Sequence, residues 1–250
     1  VKTSGNTILV TGATSGIGLG LALRFHKAGN KVVIAGRRRA LLEQIVTDHP
    51  GIEAIELDVA DARSIVQASE LAAARYPDLN VLINNAGIML GENVTESDSL
   101  KVAEETVAIN LLGTIRMTYA FLPQLARKDS AIINVSSALA FVPYPSALTY
   151  SATKAAVHSF TEGLRVQLAD TSVRVIELAP PGVRTTLFGQ ENSEHAMPLD
   201  DFLDETLALL QGEPTPKEII VERAKFLRHA EATGNYDSAL AMLSTVKAPD

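Results

Sequence analysis

The chain predicts an α/β protein built on one doubly wound parallel sheet, with helices on both faces and a helical tail. Three observations point there. Short runs rich in Val and Ile alternate with amphipathic runs through the first two thirds of the chain. A glycine-rich turn joins the first apolar run directly to the first helical pattern. No linker, internal repeat or low-complexity stretch interrupts the alternation. Strands buried on both faces of a parallel sheet read as continuous apolar runs, and a strand–helix alternation makes the sheet parallel.

Taken in order, the strands are predicted at 7–11, 31–35, 52–57, 81–84, 131–136 and 173–178. Helices are predicted at 16–28, 38–48, 61–75, about 99–127 and 150–169. The sheet order expected of this class is 3-2-1-4-5-6. After Leu178 the segment APPGVRTTLFGQENSEHAMP is loop chemistry, rich in Pro, Gly and polar residues. Three helical patterns follow, at 199–210, 216–230 and 236–246, and no seventh strand is expected.

Composition excludes several classes. The 250 residues, 46% hydrophobic, suffice for one domain with a sizeable core. A formal charge of −7 argues against nucleic acid and anionic membranes as partners. No apolar run approaches the roughly 20 residues that span a bilayer. The first residues enter a strand-like run without a leader pattern, so a cytoplasmic protein is expected. Cysteine is absent, and none of the five histidines has metal-site spacing, so no metal is expected.

The turn TGATSGIG, residues 11–18, carries Gly12, Gly16 and Gly18 between first strand and first helix. Missing β-carbons allow a tight turn and close approach of a pyrophosphate to the helix N-terminus, where free N–H groups favour anions. With Thr14, Ser15 and Ile17, these residues are candidates to hold a dinucleotide. The whole chain, 1–250, is then read as one dinucleotide-binding domain. A substrate loop and helices at about 186–231 and a tail at 232–250 complete it. The second strand ends AlaGlyArgArgArg, with Gly36 where an acidic residue would hold a ribose 2′-hydroxyl. Arginine instead grips a 2′-phosphate with paired hydrogen bonds, so NADP(H) is predicted over NAD(H), through Arg37 first and Arg38 second.

The motifs TGATSGIG at 11–18, LDV at 57–59, NNAG at 84–87, Asn110, the serine pair at 136–137, Tyr150-x-x-x-Lys154 and a Pro-rich turn ending in Thr185 resemble the short-chain dehydrogenase/reductase superfamily, in its small single-domain branch. The resemblance implies a Rossmann-type fold and an oxidoreductase that moves a hydride between nicotinamide and a carbonyl or secondary alcohol. It implies that Tyr150 is the general acid/base, Ser137 the holder of the substrate oxygen, and Ser136 a serine of no catalytic role. Lys154 would bind the nicotinamide ribose and lower the phenol pKa. One charge at about 4 Å is worth roughly 4 kcal/mol at an effective dielectric near 20, or about three pH units. Asn110 would distort its helix and anchor a proton relay. Asp58 and Val59 resemble adenine contacts, Asn85, Ala86 and Gly87 the loop along the adenosine ribose, and Val183 and Thr185 the nicotinamide contacts.

One departure stands out: Pro181 occupies a place that relatives give to glycine. A second proline stiffens that turn. Leu139, Phe141, Tyr144, Pro181, Leu187 and Phe188, with Met89, are candidates for an apolar substrate pocket. A ketone, aldehyde or secondary alcohol suits such a pocket; a 3-oxoacyl thioester and a hydroxysteroid are alternatives. A non-catalytic NADP(H)-binding sensor on the same fold is the competing function. His158, four residues after Lys154, reads as a structural or interface residue. Relatives pair the helices at 99–127 and 150–169 across a twofold axis, which implies a homodimer or homotetramer.

Overall fold

A computed structural model describes residues 3–246, so the last four residues of the expected tail lie outside the described residues. Seven parallel strands form one sheet in the order β3-β2-β1-β4-β5-β6-β7. They are β1 (Thr7–Thr11), β2 (Lys31–Gly36), β3 (Ile52–Glu56), β4 (Leu79–Asn84), β5 (Ser130–Val135), β6 (Val173–Leu178) and β7 (Glu218–Ile219). Six of these match the predicted runs. The seventh corrects the expectation that the sheet stops at six.

The reason for β7 is tertiary. Residues 216–230 have a helical pattern, but only Lys225–Arg228 forms an α-helix, after a short turn at Glu222–Ala224. Glu218 and Ile219 instead pair with Glu177 and Leu178 on the open edge of β6. Two residues are too few to show a period. The edge of β6 offers hydrogen bonds that local helix propensity cannot match.

Both faces of the sheet are buried, as the apolar runs require. Along β1, Ile8 and Val10 point to one side and Leu9 to the other, the period of two that a strand imposes. On the first side lie α1 (Gly16–Lys27), α2 (Arg39–Asp48) and α7 (Leu199–Leu210), with Phe202 and Leu203 fully buried. On the second lie α3 (Ala62–Arg75), α5 (Thr114–Leu125) and α6 (Leu148–Gln167), with Phe121 fully buried. Burying one such side chain stabilises the fold by about 1.5–3 kcal/mol.

Residues 99–127 are predicted as one helix and are continuous but not uniform. A helix α4 (Ser99–Thr106) passes into a π-helical stretch at Val107–Gly113 before α5 begins. Asn110 sits in the middle of that stretch. The widened turn fits an asparagine whose side chain is committed elsewhere. The remaining helices, α8 (Lys225–Arg228) and α9 (Tyr236–Thr245), return the chain to the carboxyl ends of the strands.

Candidate active site

The strand order reverses between β1 and β4, which opens a crevice at their carboxyl ends. The glycine turn and the NNAG loop meet there. Gly12 has φ +64, and a Cβ on it would lie 2.7 Å from the Cα of Ala86. A Cβ on Gly18 would lie 2.4 Å from Asn85 Nδ2 and 2.5 Å from the Gly12 carbonyl. Gly16, φ +55, faces the Thr185 side chain at 3.3 Å. Three segments predicted separately therefore close on one point. Asn85 donates to the carbonyls of Thr11 and Gly12 at 3.0 and 3.3 Å. Thr11 accepts from the backbone N–H groups of Asn85 and Ala86, both at 3.0 Å.

Arg38, rather than Arg37, reaches this turn. Its guanidinium donates to Thr14 Oγ1 at 3.1 Å and to Ser15 Oγ at 3.0 Å. Arg37 is exposed beside it. Gly36 packs under Thr14, so no side chain intervenes between the end of β2 and the turn. Ile17 packs against the core beneath. Asp58 caps its own loop by accepting from the Ala60 N–H at 2.9 Å, and Val59 is buried against Gly113.

The second cluster lies at the ends of β4, β5 and α6. Asn110 is buried and clamps the NNAG loop. Its Oδ1 accepts from the Ile88 N–H and its Nδ2 donates to the Ile88 carbonyl, both at 2.9 Å. Lys154 is buried too, and its ammonium donates to the Val135 carbonyl at 2.8 Å. A Cβ on Gly87 would meet both Asn110 Oδ1, at 3.3 Å, and Lys154 Nζ, at 3.7 Å. Tyr150 lies one turn before Lys154, with the ammonium 5.6 Å from its ring centroid. Ser137, at the end of β5, accepts from the Leu139 N–H at 3.1 Å and stands beside the Tyr150 hydroxyl.

The electrostatics correct one expectation. Burial pushes the Tyr150 phenol up to about 12, with the Ser137 hydroxyl working the other way. The predicted drop toward 7 is not there. Desolvation of the phenolate dominates, and the Lys154 ammonium is directed to a carbonyl rather than to the hydroxyl. Burial also pulls Lys154 down to about 8, opposed by the charge of Glu177. Both shifts favour the neutral form of each group, as burial dictates.

A family model for short chain dehydrogenases matches residues 6–196. The chain belongs to the short-chain dehydrogenase family. A relative in Bacillus subtilis (strain 168), the uncharacterized oxidoreductase DltE, is 38% identical over 250 residues, covering 98% of this chain and 99% of that protein. A short chain dehydrogenase from Burkholderia cenocepacia J2315, solved in complex with NADP, superposes with a TM-score of 0.83 at 30% identity, covering 98% of this chain and 100% of that one. A 3-ketoacyl-(acyl-carrier-protein) reductase from Brucella melitensis, solved with NADH, gives 0.78 at 28% identity, covering 89% of this chain and all of that one.

Beside the tyrosine lies an apolar cluster of Met89, Tyr144, Ala147 and Tyr150, packed by Leu139, Phe188 and Leu243. It adjoins a cleft of about 440 Å3 walled by Ile88–Gly91 and Thr186–Gly189, which includes Leu187. Pro181 is half-buried at the head of the loop, and Val183 is buried and bridged to Met197. Phe141 alone turns elsewhere. Its ring meets His158 edge-on at 4.9 Å and lies under the Arg228 guanidinium.

Three residues of the site escape a sequence reading. Leu243, on α9, joins the pocket from near the end of the described chain, and Tyr144 donates to the Val246 carbonyl at 3.1 Å beside it. Nothing local in the tail marks that contact. Glu92 caps the helix that carries Tyr150, accepting from the N–H and, at 2.8 Å, the hydroxyl of Thr149. Thr11 ties the glycine turn to the NNAG loop; its place at the head of the glycine motif was the available signal.

Proposed function

We propose that the protein is an NADP(H)-dependent carbonyl reductase acting on an apolar ketone or aldehyde, with Tyr150 as proton donor. The observation that carries this reading is the convergence of Ser137, Tyr150, Lys154 and Asn110 beside a glycine cradle. Those residues fit a dinucleotide. The turn lacks the β-carbons that would fill it, and α1 presents its N-terminus there. Thr14, Ser15 and Arg38 supply two hydroxyls and a guanidinium suited to a 2′-phosphate, with Arg37 as a second cation. Asp58 and Val59 would border the adenine, Asn85 to Gly87 the ribose, and Val183 and Thr185 the nicotinamide. When bound, the reduced nicotinamide supplies the hydride.

The chain's own residues do the rest. Ser137 holds the carbonyl oxygen. Tyr150, protonated at neutral pH, delivers a proton to that oxygen as negative charge develops on it. Lys154 stabilises the phenolate left behind, worth more in this buried setting than in water. Asn110 holds the NNAG loop in place beside the lysine. The reverse step starts from the phenolate that the forward step leaves, so its stabilisation by Lys154 serves both directions. Met89, Leu139, Tyr144, Phe188 and Leu243 give the substrate no charged partner. The helices α5 and α6 expose Tyr119 and Val166, which suit pairing with a second copy.

The test is consumption of NADPH over a panel of apolar ketones and aldehydes, wild type against Tyr150→Phe. Wild type is expected to turn over. The variant should bind NADPH normally and lose on the order of 10²–10⁴ in turnover. Saturable binding without turnover of any substrate, with NADPH or NADH, would leave only the sensor reading.

A further inference from the structure

Glu177 is fully buried inside β6, and nothing in the proton transfer above uses it. Both of its carboxylate oxygens are engaged. The Ser136 hydroxyl donates to one. His158 Nδ1 faces the other at 2.7 Å. Each partner is adjacent to the catalytic lysine along its own element. Ser136 follows Val135, whose carbonyl receives the Lys154 ammonium. His158 follows Lys154 by one helical turn, as Lys154 follows Tyr150, so all three share one slowly drifting face of α6. Beneath that face, Glu177 is paired across the sheet with Asn134 and Glu218.

The surrounding charges are otherwise accounted for. Arg228 holds Glu218 with two hydrogen bonds at 2.9 and 3.0 Å. Glu162, on α6, lies 3.7 Å from His158 Nε2, and Arg165 acts on Glu218 from the same helix. The Phe141 ring covers the histidine on the side of the turn after β5. Three cations bear on this buried carboxylate: Arg228, which Glu218 holds but which also feels Glu177, His158 when protonated, and Lys154. A buried ammonium or carboxylate without an opposite charge is costly.

We propose that Glu177 is a positioning residue for Lys154, the buried counter-charge that keeps the catalytic ammonium protonated, held in place by Ser136 and His158. The assignment rests on reading Lys154 as catalytic. Burial alone drives Lys154 down, and Glu177 is the group that opposes it. The same carboxylate draws His158 upward, mainly through their hydrogen bond. Protonation of His158 therefore offsets part of the charge that Lys154 feels. Donor atoms of His158, Glu177 and Glu218 also lie within 4.8 Å of one another, as metal ligands do. Arg228 on Glu218 and Ser136 on Glu177 already take the place of a metal there.

The test is a pH titration of the Lys154 side chain by NMR, in the unliganded 250-residue chain labelled at lysine Cε, the signal assigned with Lys154→Arg. Glu177→Gln keeps an acceptor for Ser136 and removes the charge. It is expected to lower the Lys154 midpoint by about one pH unit. Glu177→Asp should recover most of that loss. The alkaline limb of NADPH-dependent reduction should move the same way. An unmoved midpoint in folded Glu177→Gln protein would overturn the assignment, as would stoichiometric zinc in the purified protein. If Glu177→Gln does not fold, the wild-type signal decides. It should show a second, smaller inflection where His158 titrates, absent in His158→Gln; no such inflection overturns the coupling. Because the titration needs no turnover, an inactive enzyme would sink the reductase reading without deciding this one.

Discussion

The two ends of the crevice are built differently. The cofactor end is made of short contiguous motifs, the glycine turn after β1 and the NNAG loop after β4, whose backbones touch, with the Thr185 side chain after β6 closing on Gly16. The substrate end is made of single side chains from distant segments. Met89, Tyr144, Phe188 and Leu243 belong to four different parts of the chain and meet only through packing. A backbone cradle tolerates almost no change at its contact points. An apolar pocket of scattered side chains can be resized one residue at a time. One scaffold can thus keep its cofactor while its substrate changes.

That contrast can be broken first at Gly18. A β-carbon there meets the Gly12 carbonyl and Asn85, so Gly18→Ala must displace one strand of the cradle. Overpacking of this kind costs about 1–3 kcal/mol. The expected result is a lowered melting temperature and a loss of NADPH affinity by a factor on the order of a hundred, read by thermal unfolding and cofactor fluorescence. Unchanged affinity would mean that the cradle yields, and the comparison would fail.

A smaller effect separates the two arginines. Arg38→Ala removes a charge-assisted contact worth about 1.5–3 kcal/mol, so NADPH binding should weaken roughly ten- to a hundredfold while NADH binding hardly moves. Arg37→Ala should cost less. The same fluorescence titration with both cofactors reads each variant. The reverse ranking would restore the order expected from sequence.

The smallest effect belongs to the pocket. Leu243→Ala opens space at the substrate end without touching the cofactor end. KM for small ketones should rise by a factor of a few, bulkier ketones should gain by comparison, and NADPH affinity should be unchanged. Steady-state kinetics over a size series checks this. Equal effects on every substrate would place Leu243 in general stability instead.

The family resemblance implied Asn110 and Ser137; sequence alone determined the parallel α/β class, six of the seven strands, the glycine turn and the Tyr150–Lys154 pair. Each is written in local spacing. A run of Val and Ile is a buried strand wherever it lies, three glycines define a turn, and residues four apart share a helix face. Tertiary structure decided the rest. The strand at Glu218–Ile219 exists because β6 offers an open edge. The start of α2 turns Arg38, rather than Arg37, toward Thr14 and Ser15. Phe141 leaves the pocket because His158 and Arg228 hold its ring. Leu243 enters because α9 folds back over Tyr144. Burial raises the Tyr150 phenol. These outcomes depend on which distant atoms surround a group, and no local spacing carries that information.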